Sequence, residues 1–264
     1  MTRALYTAAA GMQAQQLKID VIANNLANVN TDGFKRSRAE FQDLVYQSLR
    51  TAGAPAGLEQ AAPTGIQVGL GVQPAATALD FSTGSPRNTG RRLDVAIQGR
   101  GLFQVALPSG ETAYSRNGAF QVDAETGRLV NQNGNPLVPE IFVPPGANLV
   151  DLEISRSGIV TATIEGDPNP VELGRIELAS MVNEGAFEPI GQNLFRLVGD
   201  DRDLVVALPG LEGMGALEQG FLESSNVQMV EEMIAMISGQ RAYEANSRVI
   251  RTSDEMMQET NRLR

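Results

Sequence analysis

The sequence predicts an α+β protein in which N- and C-terminal helices pair as a coiled-coil domain, with an inserted antiparallel all-β domain and an extended connecting segment. Three observations carry this. Long apolar-striped runs occupy both ends, at 3–29 and 226–263. Between them lie short alternating runs broken by turn residues, and a Pro/Gly/Ala-rich stretch at 51–65 separates the first helix from those runs. The expected division is 1–35 with 226–264 as the terminal helical domain, 36–89 as the extended connecting segment, and 90–225 as the β-rich domain.

At the front, Leu5, Met12, Ile19 and Leu26 recur every seven residues, with Ala8, Gln15, Ile22 and Val29 as a second row. A strict seven-residue repeat is the pattern of a coiled-coil seam. The helix is expected to stop near Asn28, where Asn-Val-Asn-Thr-Asp-Gly follows and Gly33 can take the left-handed conformation. The segment 38–49 reads as a short helix or an extended run, and residues 51–65 as a linker.

From Ile66 the period changes to two, in Ile66–Gly69, Leu93–Ile97, Leu102–Val105, Phe120–Val122 and Ile159–Ile164. Asn117-Gly118, Asn133-Gly134 and Ser157-Gly158 stand between such runs as hairpin turns requiring positive φ. Pro144-Pro145, Pro168 and Pro170 mark edges or connections, because proline cannot donate to a ladder. After Gly220 the helical period returns, with Ser225 or Asn226 expected as N-cap and Glu231 and Glu232 at the positive end of the dipole. Val227, Val230, Ile234, Ile237, Ala245, Val249, Met256 and Leu263 keep an apolar face, and Met229, Met233 and Met236 lie near Tyr243 and Ile250 on a surface able to repack. The rear run is longer than the front one, so the overhang needs a partner, most simply a second copy of the chain. Gly11 and Gly239 interrupt the helices, and either close approach or simple tolerance accounts for them.

Composition excludes much chemistry. There is no cysteine and no histidine, which removes disulfides, thiolate metal sites, and the Ser-His-Asp and Cys-His arrangements. A net charge of −10 opposes phosphate neutralisation, so no nucleic-acid partner is expected. Lys35-Arg36-Ser37-Arg38 reads as a solvated charged face. No apolar run reaches the ~18 residues of a membrane span, so no bilayer insertion is expected. Polar residues from Gln13 onward break any secretory signal, and the chain reads as cytoplasmic or exported without a cleavable signal. Gly69-Leu70-Gly71 and Gly99-Arg100-Gly101 lack the third glycine and the helix of a dinucleotide site. Asp200, Asp201 and Asp203 lack the spacing of a calcium loop and read as a solvated turn. No cofactor, metal or catalytic residue is expected. From the residues alone, a helical assembly and a β binding module on a coiled-coil stalk both remain open. They differ in giving an open polymer or a small closed oligomer.

The string at 23–35 resembles the N-terminal signature of bacterial flagellar rod and hook proteins; its signature residues are Asn24, Asn25, Leu26, Ala27, Asn28, Asn30, Thr31, Gly33 and Phe34. Gly220–Val227, with Ser225 and Asn226, and 236–246, with Gln240, Arg241, Ala242, Tyr243 and Asn246, resemble its C-terminal partner. Length and the segments 46–72 and 93–107 resemble the distal-rod members; proximal-rod and hook paralogues share the terminal signatures. Ser238-Gly239 departs from the bulkier polar residues usual before Gln-Arg-Ala-Tyr.

The resemblance implies a non-catalytic subunit that polymerises helically into a rigid hollow drive shaft around an export channel. The terminal helices would form the inner tube and the β domain the outer shell. Leu5, Met12, Ile19, Ile22, Leu26, Val230, Met233, Ile234, Ile237, Tyr243, Val249 and Met256 would carry the subunit interface. Tyr46, Leu49, Pro55, Pro63 and Gly65 mark the segment expected to stiffen the rod. The implied partners are further copies of the chain, proximal rod proteins, the hook protein, the peptidoglycan and outer-membrane ring proteins, and the flagellar type III export apparatus. The implied place is the basal body, between periplasm and outer membrane.

Overall fold

A computed structural model describes residues 2–51, 64–144, 152–164, 167–199 and 201–262. Pro55, Pro63, Pro145, Asp200 and Leu263 lie outside them. The fold is α+β, with a helix at each end and a mostly antiparallel β-rich middle. It divides into two compact units: unit 1 holds 1–27, 37–78 and 228–264, and unit 2 holds 28–36 and 79–227.

Unit 1 contains α1 (Thr2–Ala27), β1 (Ser37–Asp43), β2 (Tyr46–Arg50), β3 (Ile66–Gly69), β4 (Val72–Leu79) and α2 (Met229–Arg262). The segment 38–49, open between helix and extended chain on sequence grounds, is strand: β1 pairs with β4, and β2 with β3 as an antiparallel ribbon. At about 1.5 Å per residue, α1 spans roughly 39 Å and α2 roughly 51 Å. The two helices run antiparallel, since Gly11 lies against Asn246, Ile19 against Gly239, and Asn25 against Glu232. The interrupting glycines mark close approach. A methyl group on Gly11 would stand 2.9 Å from Asn246 Nδ2, and one on Gly239 would stand 3.1 Å from Ile19 Cγ1.

Unit 2 runs β5 (Pro86–Asn88), β6 (Val95–Gln98), β7 (Leu102–Ala106), β8 (Thr112–Ser115), β9 (Gln121–Val122), β10 (Leu129–Val130), β11 (Glu153–Ile154), β12 (Ile159–Ile164), β13 (Asp167–Arg175), β14 (Leu178–Met181), β15 (Phe187–Gly191), β16 (Leu194–Leu197), β17 (Leu204–Ala207), β18 (Ala216–Gln219) and β19 (Phe221–Glu223). Its largest sheet has six strands in the order β15-β16-β8-β7-β14-β17. Both faces of that sheet are covered. Phe103, Val105, Ala113, Leu178 and Leu194 pack into the main core. Leu102, Tyr114, Ala179, Phe187 and Phe195 pack into a second core on the other side. Two buried faces explain why Leu102–Val105 is buried throughout rather than alternating. Phe103 and Phe120 meet edge to face at 5.0 Å in the main core, and Phe81 lies 5.4 Å from Phe195 in the second.

Pro168 and Pro170 fall on β13, an edge strand of the three-stranded sheet β11-β12-β13. Gly134 and Gly158 have the positive φ expected of their turns. Gly118 does not; glycine is needed there because a Cβ would collide with Val95 O. Asp201–Asp203 form one 3-10 turn.

Candidate functional site: the meeting of the two signatures and the faces of the terminal helices

The two signature strings, some 190 residues apart in the chain, meet inside unit 2. Gly33, with φ 73°, donates its N–H to Glu223 O at 2.7 Å. A side chain at position 33 would need a disfavoured left-handed backbone, and its Cβ would lie 2.5 Å from Asn117 N. The turn aims Lys35 inward. Lys35 Nζ donates to Glu223 Oε1 at 2.7 Å and to Ser82 O at 2.7 Å. Glu223 Oε1 also accepts Gly84 N at 2.8 Å, and its other oxygen takes Arg116 Nε. Arg116 donates onward to the carbonyls of Ile97 (2.9 Å), Gly99 (2.5 Å) and Gly101.

Lys35, Arg116 and Glu223 are all buried, so the charge-run reading of Lys35 as a solvated face is corrected. Removing a cation from water is costly unless it is paired and hydrogen-bonded, and here one carboxylate and a ring of backbone carbonyls supply both. Burial pushes the Lys35 ammonium below its ordinary pKa; Glu223 pulls it back up, while Arg116 adds to the depression.

Asn226 closes the same junction. Its Oδ1 accepts Arg36 N at 2.8 Å, and its Nδ2 donates to Asp80 O at 2.7 Å and Ser82 O at 3.2 Å. It is therefore not the N-cap of α2, which begins at Met229, with Glu232 N bonded to Gln228 O at 3.0 Å. Ser225 Oγ accepts Val227 N at 3.3 Å, also ahead of the helix.

Within unit 1, Asn25 makes the corresponding tie. Its amide pairs with the Ser37 peptide in both directions, Nδ2 to Ser37 O at 2.8 Å and Ser37 N to Oδ1 at 2.9 Å, and Nδ2 also reaches Glu232 Oε2 at 3.3 Å. Asn25 and Glu232 are both buried.

The buried positions of α1 are Ala8, Ala14, Ile22 and Asn25, while Leu5, Met12, Ile19 and Leu26 are half-buried. The fully buried positions of α2 are small or polar, Glu232, Gly239 and Ser253, with Ala235, Ala242 and Asn246 half-buried beside them. Met236, Ile250 and Met257 share that side and are half-buried, while seven other large apolar residues face outward. Val230, Met233, Ile234, Ile237, Tyr243, Val249 and Met256 are each 41–64% exposed. Among the remaining signature residues, Asn24, Ala27, Asn30, Gln240 and Arg241 are exposed, and Asn28, Thr31 and Phe34 half-buried. On the β2–β3 ribbon, Tyr46, Leu49, Ile66 and Val68 are exposed, as is the neighbouring Gly65.

Sequence reasoning missed Lys35, Arg116, Glu223 and Glu232 as partners. Lys35 and Glu223 lie in or beside the quoted strings, but nothing in either string says that the other is its counter-ion. Among the described residues, no group of three or more His, Cys, Asp or Glu side chains could hold a metal ion, and no helix is long and apolar enough to cross a membrane.

Three family models match the chain: flagella basal body rod protein at 5–35, flagellar hook protein FlgE/F/G D1 domain at 96–162, and flagellar basal body rod FlgEFG protein C-terminal at 218–263. The class is thus that of flagellar rod and hook proteins. Relatives named flagellar basal-body rod protein FlgG include one from Buchnera aphidicola subsp. Schizaphis graminum, 45% identical over all of both chains. Another, from Caulobacter vibrioides, is 47% identical over 99% of each chain. A third, from Borreliella burgdorferi, is 46% identical over 100% of this chain and 99% of its own. The chain belongs to the FlgG family of flagellar basal-body rod proteins, and is a structural subunit of the rod rather than an enzyme.

Proposed function

We propose that the chain polymerises helically into the distal rod, a rigid hollow shaft that transmits torque to the hook and encloses the export channel. The observation that carries this reading is the inverted helix of unit 1. Seven large apolar side chains of α2 face outward, while its inward face mixes small and polar residues, Glu232, Ala235, Gly239, Ala242, Asn246 and Ser253, with the half-buried Met236, Ile250 and Met257. An apolar stripe on a helix is stable in water only when something covers it. Full burial of such side chains is worth about 1.5–3 kcal/mol each, so covering seven half-exposed ones contributes on the order of 5–10 kcal/mol per contact. The occupant is a neighbouring copy presenting the half-buried row Leu5, Met12, Ile19 and Leu26, with Ile22 supporting it from within. Coiled-coil packing belongs to this assembled state, and the helices form the inner tube.

The α2 overhang of eight residues, about 12 Å, lets each copy reach beyond its own α1. A head-to-tail contact of this kind grows as an open helix instead of closing into a dimer. The segment 46–72, whose described part includes the β2–β3 ribbon with Tyr46 and Leu49 and the neighbouring Gly65, packs against adjacent subunits and stiffens the shaft; Pro55 and Pro63 lie outside the described residues. Proximal rod proteins and the hook protein continue the axis, the peptidoglycan and outer-membrane ring proteins surround it, and the type III export apparatus delivers the subunit without a cleavable signal.

The test is electron microscopy of concentrated protein seeded with rod–hook fragments, wild type beside Ile234→Asp. Straight hollow tubes from the wild type and none from the variant, with both monomers equally stable, support the reading. Small closed oligomers under every condition overturn it.

A further inference from the structure

Unit 2 contains a cleft of about 380 Å³ that the rod reading does not use. Its floor is apolar, formed by Phe81, Leu102, Met181 and Phe187, and its mouth carries Arg100 and Glu184. The cleft exists because the six-stranded sheet splays. β14 pairs with β17 along its whole length, Leu178 to Met181, but with β7 only at Leu178 and Ala179. Beyond Leu102 the chain leading into β7 turns away. Arg100 O accepts Gly215 N at 2.7 Å, and the carbonyls of Gly99 and Gly101 are taken by Arg116.

Ser180 and Met181 consequently have a strand neighbour on one side only. Successive residues of a strand direct their N–H and C=O to opposite sides, so one of the two presents both groups to the cleft. A missing strand beside a preformed apolar floor is the geometry of β-strand addition.

The electrostatics select the sign of the occupant. The buried cluster behind the wall holds two cations, Lys35 and Arg116, against one carboxylate, Glu223. Asp80, the further carboxylate in the field of Lys35, is itself matched by Arg36. At the mouth, Arg100 is largely exposed and lies 3.7 Å from Glu184, too far for a hydrogen bond and readily exchanged for a better partner. One positive charge is left over beside the cleft, in a chain whose net charge is −10.

We propose that this cleft is a strand-addition site for an extended acidic peptide segment of a partner protein, whose backbone completes the ladder at Ser180–Met181 while a carboxylate side chain displaces Glu184 from Arg100. Its volume falls within the ~300–1,000 Å³ of small-ligand sites, and the open ladder is two residues long, Ser180 and Met181.

The experiment uses the full chain and two probes, the capped tetrapeptides Ac-Val-Glu-Val-Glu-NH2 and Ac-Val-Lys-Val-Lys-NH2, with glutarate as a third. Hydrogen-exchange mass spectrometry follows the segment 178–182, and fluorescence anisotropy of labelled peptide gives affinity. The glutamate peptide is expected to bind saturably, to slow exchange in 178–182 at least five-fold, and to bind at least five-fold more tightly than the lysine peptide. Arg100→Glu, at a surface position that leaves folding intact, should reverse the preference. Equal binding of the two peptides, no saturable binding of the glutamate peptide, or binding without protection of 178–182 overturns the proposal. Glutarate binding as tightly as the glutamate peptide also overturns it, because the site is then a simple anion site without strand addition.

Discussion

Replacing Glu223 by glutamine keeps the shape of the buried junction and removes the carboxylate charge at its centre. In the native protein that carboxylate faces Lys35 Nζ at 2.7 Å and Arg116 Nε, both buried. The amide that replaces it would retain one acceptor oxygen and present an N–H2 group to a second donor, leaving two cations inside unit 2 without their shared counter-charge. Breaking a buried ion pair by removing one partner costs about 3–5 kcal/mol, since the remaining charge stays desolvated. At about 2–4 °C per kcal/mol for a domain of this size, the melting transition of unit 2 should fall by roughly 6–20 °C.

The charge count makes a second, sharper expectation. Lys35→Met removes one cation and leaves a balanced Arg116–Glu223 pair, so it should cost less than Glu223→Gln. In the Lys35→Met background, Glu223→Gln strands one cation instead of two and should cost at least about 1 kcal/mol less than in the wild type. Calorimetry and urea denaturation of the four monomeric proteins supply the cycle. A Glu223→Gln shift below about 2 °C, or costs that simply add, would refute the account of the junction as a charge-balanced clasp.

Four further outcomes follow from the geometry. Gly33→Ala should cost more than about 2 kcal/mol in urea denaturation, because it combines the left-handed penalty of about 1–2 kcal/mol with a Cβ 2.5 Å from Asn117 N. Asn25→Ala should cost about 1–3 kcal/mol by stranding the Ser37 peptide, and should speed exchange of the Ser37 amide; unchanged exchange there would count against the tie. For pH, the Ser82 backbone hydrogen bond holds the Asp80 carboxyl below its ordinary value. That contribution is complete above about 3.8 and is lost as pH falls through the folded value, so Asp80→Asn should flatten the acid limb of stability. Lys35 behaves in the opposite range: its depressed value means that a burial penalty is relieved as pH rises toward 10.5, and Lys35→Met should abolish that rise.

The sequence by itself determined the kind of element at the two ends and through most of the middle, though not at 38–49, where periodicity leaves helix and extended chain both open. Seven-residue and two-residue apolar periods mark the terminal helices and the strands because each reflects the local geometry of one element. The two signature strings likewise identify the family without reference to any contact. Only the tertiary structure decided partners.

Asn226 reads as an N-cap because asparagine before an apolar run satisfies helix N–H groups, yet its amide is committed to Arg36, Asp80 and Ser82, far away in sequence. Lys35 reads as solvated beside other charges until Glu223 and five backbone carbonyls around it and Arg116 bring burial within reach. The apolar stripe of α2 was legible, but not that it faces away from α1. That choice is made where Gly239 lets Ile19 approach so closely that a Cβ at 239 would stand 3.1 Å from it, and the row of Val230, Ile234, Ile237 and their neighbours is turned outward. Periodicity records that a face is apolar; which face a neighbour can approach depends on side-chain volumes that meet only once the chain has folded.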